Sequence, residues 1–231
     1  MRELSGNTLC EVLTIDGPSG AGKGSVAQLV SKKLGWHLLD SGALYRLTAL
    51  SALKQGVSFE DESLLAQIAS KLEVEFKPSG FGEPVQVFLS GENVTGELRL
   101  ETTGNNASKI APLAEVRAAL LQRQRNFAMP PGLVADGRDM GTVVFPEAKY
   151  KIFLSASAQT RAERRYKQLK DKGEDVKMPP LLREIEERDE RDMGRKNAPL
   201  KPAIDALLID STDFSIEEVL DKVIGFIESK S

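Results

Sequence analysis

The nonapeptide Gly17-Pro18-Ser19-Gly20-Ala21-Gly22-Lys23-Gly24-Ser25 follows directly on the apolar run Val12, Leu13, Thr14, Ile15. A strand that ends in a glycine-rich turn and then opens a helix points consecutive backbone N–H groups into one concavity, where the helix dipole also favours anions. The stretch therefore reads as a seat for phosphate. Gly17, Gly20 and Gly22 permit a tight path that side chains would block, and Lys23 can lay its ammonium along the outer phosphates. The spacing predicts a helix over Lys23 to Leu34, with Val26, Ala27, Leu29, Val30 and Leu34 on one face and Gly35 as its C-terminal cap.

This order of strand, glycine turn, lysine and helix is that of a P-loop, with one departure. Gly24 follows the lysine, and the hydroxyl arrives one position later at Ser25. The strict motif sets that hydroxyl on Mg²⁺, so the shifted register puts Ser25 in question as a metal ligand.

A chain of 231 residues can bury a full core and suits one domain with insertions. Its 41% hydrophobic and 28% charged residues are ordinary for a soluble globular protein. A formal net charge of −3 excludes the global basic field that collects nucleic acid, so an anionic ligand must be held by a local cluster. The single cysteine, Cys10, excludes an intrachain disulfide and fits a reducing compartment. No stretch is long enough to cross a bilayer, and Met1 to Cys10 lacks the apolar centre of a secretion signal. A cytosolic protein without membrane contact is expected, with Met1 to Glu11 as a short polar leader.

Trp36 to Leu39 reads as a second buried strand that delivers Asp40 and Ser41 at its carboxyl end, where ligands sit in open parallel sheets. A helix from Gly42 to Gln55 turns Leu44, Leu47, Leu50 and Leu53 inward and presents Tyr45 and Arg46 near its start. From Val57 to Ala107 the texture changes. After a helix around Asp61 to Leu72 come the alternating runs Val74–Phe76 and Val85–Leu89, with Pro78, Gly80, Gly82 and Gly91 as turn residues and a third short strand near Val94. This predicts an inserted antiparallel sheet. Pro112 to Phe127 is a helix, and Leu133 to Ala135 a strand running into Asp136, Gly137, Arg138 and Asp139. A strand at Tyr150–Leu154, charged helices at Ala158–Lys172 and Pro179–Arg195 around Gly173, a strand at Ala206–Ile209 and a helix at Ile216–Ile227 complete the pattern. Alternating strands and helices predict an α/β fold, a parallel sheet covered on both faces.

Three strand ends thus supply polar clusters, Gly17–Ser25, Asp40–Arg46 and Asp136–Asp139, which converge if their strands are neighbours. Asp136 is the natural partner of a magnesium ion, directly or through water. Two phosphorylated reactants repel unless cations are already in place, and arginine binds phosphate with a planar, always-charged fork. Arg46 and Arg138 stand where an acceptor phosphate would need them. Arg188, Asp192 and Arg195 share one side of a helix, but on spacing alone they read as a solvated face paired with Glu184, Glu187, Asp189 and Glu190. His37, the only histidine, reads as a strand residue.

The phosphate loop, then Leu39-Asp40-Ser41-Gly42-Ala43-Leu44-Tyr45-Arg46, then Ala135-Asp136-Gly137-Arg138-Asp139-Met140-Gly141-Thr142-Val143-Val144-Phe145-Pro146, closely resemble the bacterial cytidylate kinase family. Arg188-Asp189-Glu190-Arg191-Asp192 and Asp210-Ser211-Thr212 continue the match, which covers nearly the whole chain. Adenylate kinases share the loop but carry Phe-Pro-Arg after Asp-Gly, where Arg-Asp stands here.

The resemblance implies a P-loop core of five parallel strands (11–56, 108–157 and 196–231), a nucleoside-monophosphate-binding insertion (57–107) and a mobile helical lid (158–195). It implies ATP-dependent, Mg²⁺-requiring phosphorylation of CMP and dCMP by a monomer. ATP would be held by Gly17, Pro18, Ser19, Gly20, Ala21, Gly22, Lys23, Gly24 and Ser25, with Ser25 and Asp136 toward the metal. Residues matching Arg46 and Arg138 bind the acceptor phosphate, those matching Ser108, Arg188 and Asp192 the sugar, and those matching Ser41, Arg117, Asp139 and Arg195 the cytosine. Lys23, Arg138 and Arg188 would neutralise the transferring group, with Arg161, Arg164 and Arg165 as further lid candidates. Two rivals remain open from sequence. One is a kinase of UMP or of a small metabolite alcohol. The other is a GTP-dependent switch, although the Asn-Lys-x-Asp guanine reader of such proteins is absent.

Overall fold

Successive side chains of a strand point to opposite faces, so a strand apolar on both must be covered on both. Val12 faces one hydrophobic cluster while Leu13 and Ile15 face another; Leu133 and Ala135 point to the first and Val134 to the second. In the computed structural model, which describes residues 10–77, 86–171 and 173–230, this alternation builds two layers of helices around one sheet. The elements in chain order are β1 (Glu11–Asp16), α1 (Lys23–Leu34), β2 (His37–Asp40), α2 (Ser41–Lys54), α3 (Glu62–Ser70), β3 (Val74–Lys77), β4 (Gln86–Leu89) and β5 (Glu92–Asn93). Then come α4 (Glu101–Ile110), α5 (Ala114–Arg125), β6 (Gly132–Gly137), β7 (Tyr150–Ser155), α6 (Ala158–Asp171), α7 (Met178–Met193), β8 (Leu207–Asp210) and α8 (Ile216–Ser229).

The five-stranded sheet has the order β2-β6-β1-β7-β8 with every pairing parallel. β1 lies at its centre, and β6 stands between β1 and β2, so the three expected polar strand ends are neighbours along one edge. The cluster on one face gathers Leu44, Leu47, Leu65, Ile110, Val116 and Leu120 from α2, α3, α4 and α5. The other holds Val26, Val30, Val219, Val223 and Ile224 from α1 and α8. Each such fully buried Leu, Ile or Val stabilises the fold by about 1.5–3 kcal/mol relative to exposure.

The caps agree with the sequence. Gly35 ends α1 with a φ of 68° and donates to Ser31 O, Asp40 caps α2 by accepting from Ala43 N at 3.0 Å, and Ser215 with Glu218 forms a capping box on α8. The inserted antiparallel sheet is present as β3-β4-β5. The leader at residues 1–9, Pro78, Gly80, Gly82 and Val85 lie outside the described residues, as does Lys172.

The structure corrects one expectation and adds two elements. Leu53 and Leu29 point outward, 49% and 37% exposed, because each sits at the margin of its helix's apolar stripe. Helix α4 at Glu101–Ile110, which the sequence pattern does not predict, packs against α2. Its Gly104, Asn105 and Asn106 hid it, since weak helix formers give little periodic signal. A π-helical turn at Met140–Val144 follows β6, in a segment to which the sequence pattern assigns no element.

At Gly17 a Cβ would lie 1.9 Å from the Leu154 carbonyl oxygen of β7. Gly17→Ala therefore has to push apart the two strands that seat the phosphate loop. It is expected to destabilise the protein by about 3 kcal/mol or more, read as a lowered midpoint in urea unfolding.

Candidate active site

The first-turn N–H groups of a helix need acceptors from outside the helix. α1 opens on Gly22 with no side chain capping it, so these donors face a cleft of about 760 Å³ lined by Ser19 through Ser25. Lys23 reaches back to donate to Pro18 O at 2.9 Å and stands 3.8 Å from the Asp136 carboxylate of β6. Burial lowers the Lys23 ammonium and raises the Asp136 carboxyl, while each charge opposes the shift of the other. A Cβ at Gly24 would come within 3.4 Å of Asp136 Oδ2. The glycine after the lysine thus leaves room beside the carboxylate, and Ser25 lines the same cleft from the exposed side of α1. Among the described residues there is no cluster of three or more His, Cys, Asp or Glu side chains that could hold a metal. One half-buried carboxylate and one hydroxyl instead suit Mg²⁺, which keeps several waters and takes further oxygens from substrate phosphates.

Across the cleft, Arg138 donates from Nε to Asp192 Oδ2 at 2.8 Å, and Arg195 pairs with the other carboxylate oxygen. Ser108 Oγ lies 3.4 Å from the same oxygen as Arg195. Asp192 is only 1% exposed. Although burial opposes its charge, Arg138 and Arg195 hold its carboxyl below the ordinary value. Arg188, one helical turn earlier on α7, is also buried; burial and the neighbouring Arg138 lower its guanidinium to about 10. The solvated-face interpretation of this helix is therefore overturned for Arg188 and Asp192. Deeper in, Asp139 is buried and paired with Arg117, which also donates to Tyr45 Oη at 3.3 Å. Ser41 donates to Gln124 Oε1 at 2.7 Å. Arg46 lines the same cleft, close enough to act electrostatically on Asp136 and Arg188. Lys23, Arg46 and Asp139 thus share one cleft, with Asp139 at the end remote in chain order from the phosphate loop but adjacent through β6.

The model of the family described as cytidylate kinase matches residues 13–229. The cytidylate kinase of Photobacterium profundum is 58% identical over 222 residues, spanning 96% of this chain and 96% of its own length. That of Vibrio vulnificus is 60% identical over 219 residues, 95% of this chain and 96% of its own. The chain belongs to the cytidylate kinase family. As a cytidylate kinase family member it is an enzyme, a nucleoside-monophosphate kinase of the transferase class. Among solved structures, an uncharacterized protein from Eubacterium ventriosum is similar in fold alone, with a TM-score of 0.51 at 13% identity over 95% of this chain and 98% of that one.

Within this cytidylate kinase fold the lid arginines fall into two groups. Arg161 spends its donors on Ala156 O at 2.9 Å, Ser19 O at 3.0 Å and a two-pronged pair with Asp189 of α7. Arg164 donates to Ser211 O at 2.6 Å and Oγ at 3.2 Å. Both fasten the start of α6 to the core. Arg165 and Arg188 line the cleft, and the Nε of each is buried without an acceptor. Sequence reasoning missed Asp16. Its carboxylate, 3% exposed at the end of β1, accepts from the backbone N–H of Met140 and of Gly141, both at 2.8 Å, and so fixes the turn that follows Asp139. A polar residue closing the strand just before Gly17 was the available signal.

Burial pushes the Asp16 carboxyl up to about 7 against the two N–H bonds that favour its charge. A folded-state value above the unfolded one means the group's contribution is greatest below about pH 4 and is lost as pH rises through about 7. The stability difference between wild type and Asp16→Asn is therefore expected to shift against wild type by a few kcal/mol between about pH 4 and about pH 8. Urea unfolding of both proteins across that range checks it; a flat difference would contradict the assignment.

Proposed function

We propose that this enzyme transfers the terminal phosphoryl group of ATP to CMP or dCMP, giving ADP and the nucleoside diphosphate, a step of pyrimidine nucleotide metabolism. The observation that carries the proposal is the meeting, in one cleft, of an uncapped helix N-terminus with Lys23, a cluster of arginines, and a buried carboxylate at Asp139.

The donor phosphates lie along the loop from Gly17 to Ser25, with Lys23 beside them. Arg46 and Arg138 hold the acceptor phosphate, Ser108, Arg188 and Asp192 the sugar, and Ser41, Arg117, Asp139 and Arg195 the base. Asp136 and Ser25 would hold Mg²⁺, which would supply positive charge to screen the donor phosphates. The acceptor phosphate is already an anion and needs no general base, so catalysis is alignment and charge neutralisation by Lys23, Arg138 and Arg188. Cytosine offers an exocyclic amine that donates to Asp139, whereas uracil offers an acceptor there, which the buried carboxylate repels.

Residues 57–107 act as the monophosphate-binding insertion on a core of 11–56, 108–157 and 196–231, and residues 158–195 as a lid that excludes water. Gly173, with φ of 77°, turns the chain between the lid helices, and the anchoring of Arg161 and Arg164 supports movement beyond the first turns of α6. The enzyme acts as a monomer in the cytoplasm, free of nucleic acid and membrane; the free Cys10 thiol suits a reducing compartment, and no helix among the described residues is long and apolar enough to cross a membrane.

A coupled assay of ADP release with Mg²⁺ATP and a panel of nucleoside monophosphates tests the substrate. CMP and dCMP are expected to support turnover well above the other acceptors, and equal rates with AMP or UMP would refute the assignment. Asp139→Ala is expected to cut the CMP-over-UMP preference in kcat/KM about tenfold to a hundredfold. Lys23→Ala is expected to lower kcat about a hundredfold or more while the protein stays folded by circular dichroism.

A further inference from the structure

Helix α4 presents Glu101, Gly104 and Ser108 at helical spacing along one side, and opposite them lies α7 with Arg188 and Asp192. Ser108 reaches Asp192, as described above. A Cβ at Gly104 would lie 3.3 Å from Arg188 Nη1, so the guanidinium rests against the bare backbone of α4. At the end of this strip the Glu101 carboxylate takes Arg188 Nη1 at 3.5 Å on one oxygen and Arg165 Nη2 of α6 at 3.0 Å on the other. One half-exposed carboxylate of the insertion therefore bridges both lid helices. The two arginines it touches are among the three, with Arg195, whose buried Nε groups lack acceptors among the described residues.

We propose that Glu101 is a placeholder anion: it neutralises Arg165 and Arg188 before substrate binds, and the substrate's phosphates compete with it for them. The inference rests on the function proposed above. Arg188 has Arg138 and Arg46 as like-charged neighbours and shares the Asp192 counter-charge with Arg138 and Arg195, so the free enzyme gains from the further charge of Glu101. Once a phosphate dianion has arrived, the same carboxylate is a like charge beside it. Its presence thus stabilises the free enzyme and opposes the complex. By linkage, removing that charge must weaken the free protein and tighten the complex.

The test is Glu101→Gln, which keeps the shape and removes the charge, with Glu101→Ala beside it. Isothermal titration with CMP and with ADP is expected to give dissociation constants about threefold to tenfold lower for both variants, at low ionic strength, with the gap shrinking as salt is raised. The melting temperature without ligand is expected to fall in both, and the ligand-induced rise to grow. A group that merely supports the fold would lower the melting temperature without tightening binding, and a group that orients the arginines would weaken binding; either result overturns the proposal. Unchanged dissociation constants overturn it too. If CMP bound neither wild type nor variant, the proposed function would fail, and this inference with it; CMP bound equally by both refutes the placeholder alone.

Discussion

Guanidinium groups drawn into one cavity repel each other, and a cleft meant for two polyanions has to hold its cations together before either arrives. In this enzyme Asp192 answers that requirement. It is nearly inaccessible, it pairs with Arg138 from β6 and Arg195 beyond α7, and it sits one turn from Arg188. Its own main-chain oxygen accepts from Leu200 N at 2.8 Å, which ties the chain after α7 back against the same point. An uncompensated like-charge contact at such depth would cost several kcal/mol. The carboxylate converts it into a fixed array that ties α7 to the end of β6.

The second constraint comes from β6. Within four residues its end supplies Asp136 toward Lys23, Arg138 toward Asp192 and Asp139 toward Arg117. Such density requires a rigid backbone immediately afterwards. Asp16 provides it from the neighbouring strand by holding two N–H groups of the π-helical turn, where Val144 N bonds back to Asp139 O at 3.2 Å and Phe145 N to Met140 O at 2.7 Å. A Cβ on Gly141 would lie 2.8 Å from Thr14 Oγ1, so the turn also needs a bare position to approach β1. Phosphate seat and acceptor site are thereby braced on each other through adjacent strands of one sheet.

The fold was largely legible because its signals are local. Strand β1 before a glycine turn, the αL glycine after α1 and the capped start of α8 each carry a short-range physical cause, and each stands within a residue or two of where the sequence puts it. What stayed hidden was set by partners distant in sequence. Helix α4 has no side-chain cap and a centre of glycine and asparagine, and it is held by its packing against α2. The π-helical turn depends on Asp16, more than a hundred residues earlier. Of the candidate site, the phosphate loop and the strand ends declared themselves through residue type and order. The lid residues did so only through family resemblance, since a helix rich in both charges reads the same whether it faces water or counter-charges.

That ambiguity has a physical resolution in how the lid divides its arginines. Arg161 satisfies carbonyls of the core and a carboxylate of α7 with a single planar fork, and Arg164 caps the β8 exit at Ser211. Nearly every donor of these two is matched, and they carry no unmet demand for an anion. Arg188 is buried and Arg165 half-buried, each with a buried Nε to spare, a state that costs free energy unless something else offsets it. Groups left underpaired in a cleft, beside neighbours that are fully paired, mark where the missing acceptors belong. A helix rich in both charges is thus told from a solvated one by which of its ion pairs are left incomplete, a property of the assembled molecule that no spacing along α6 or α7 encodes.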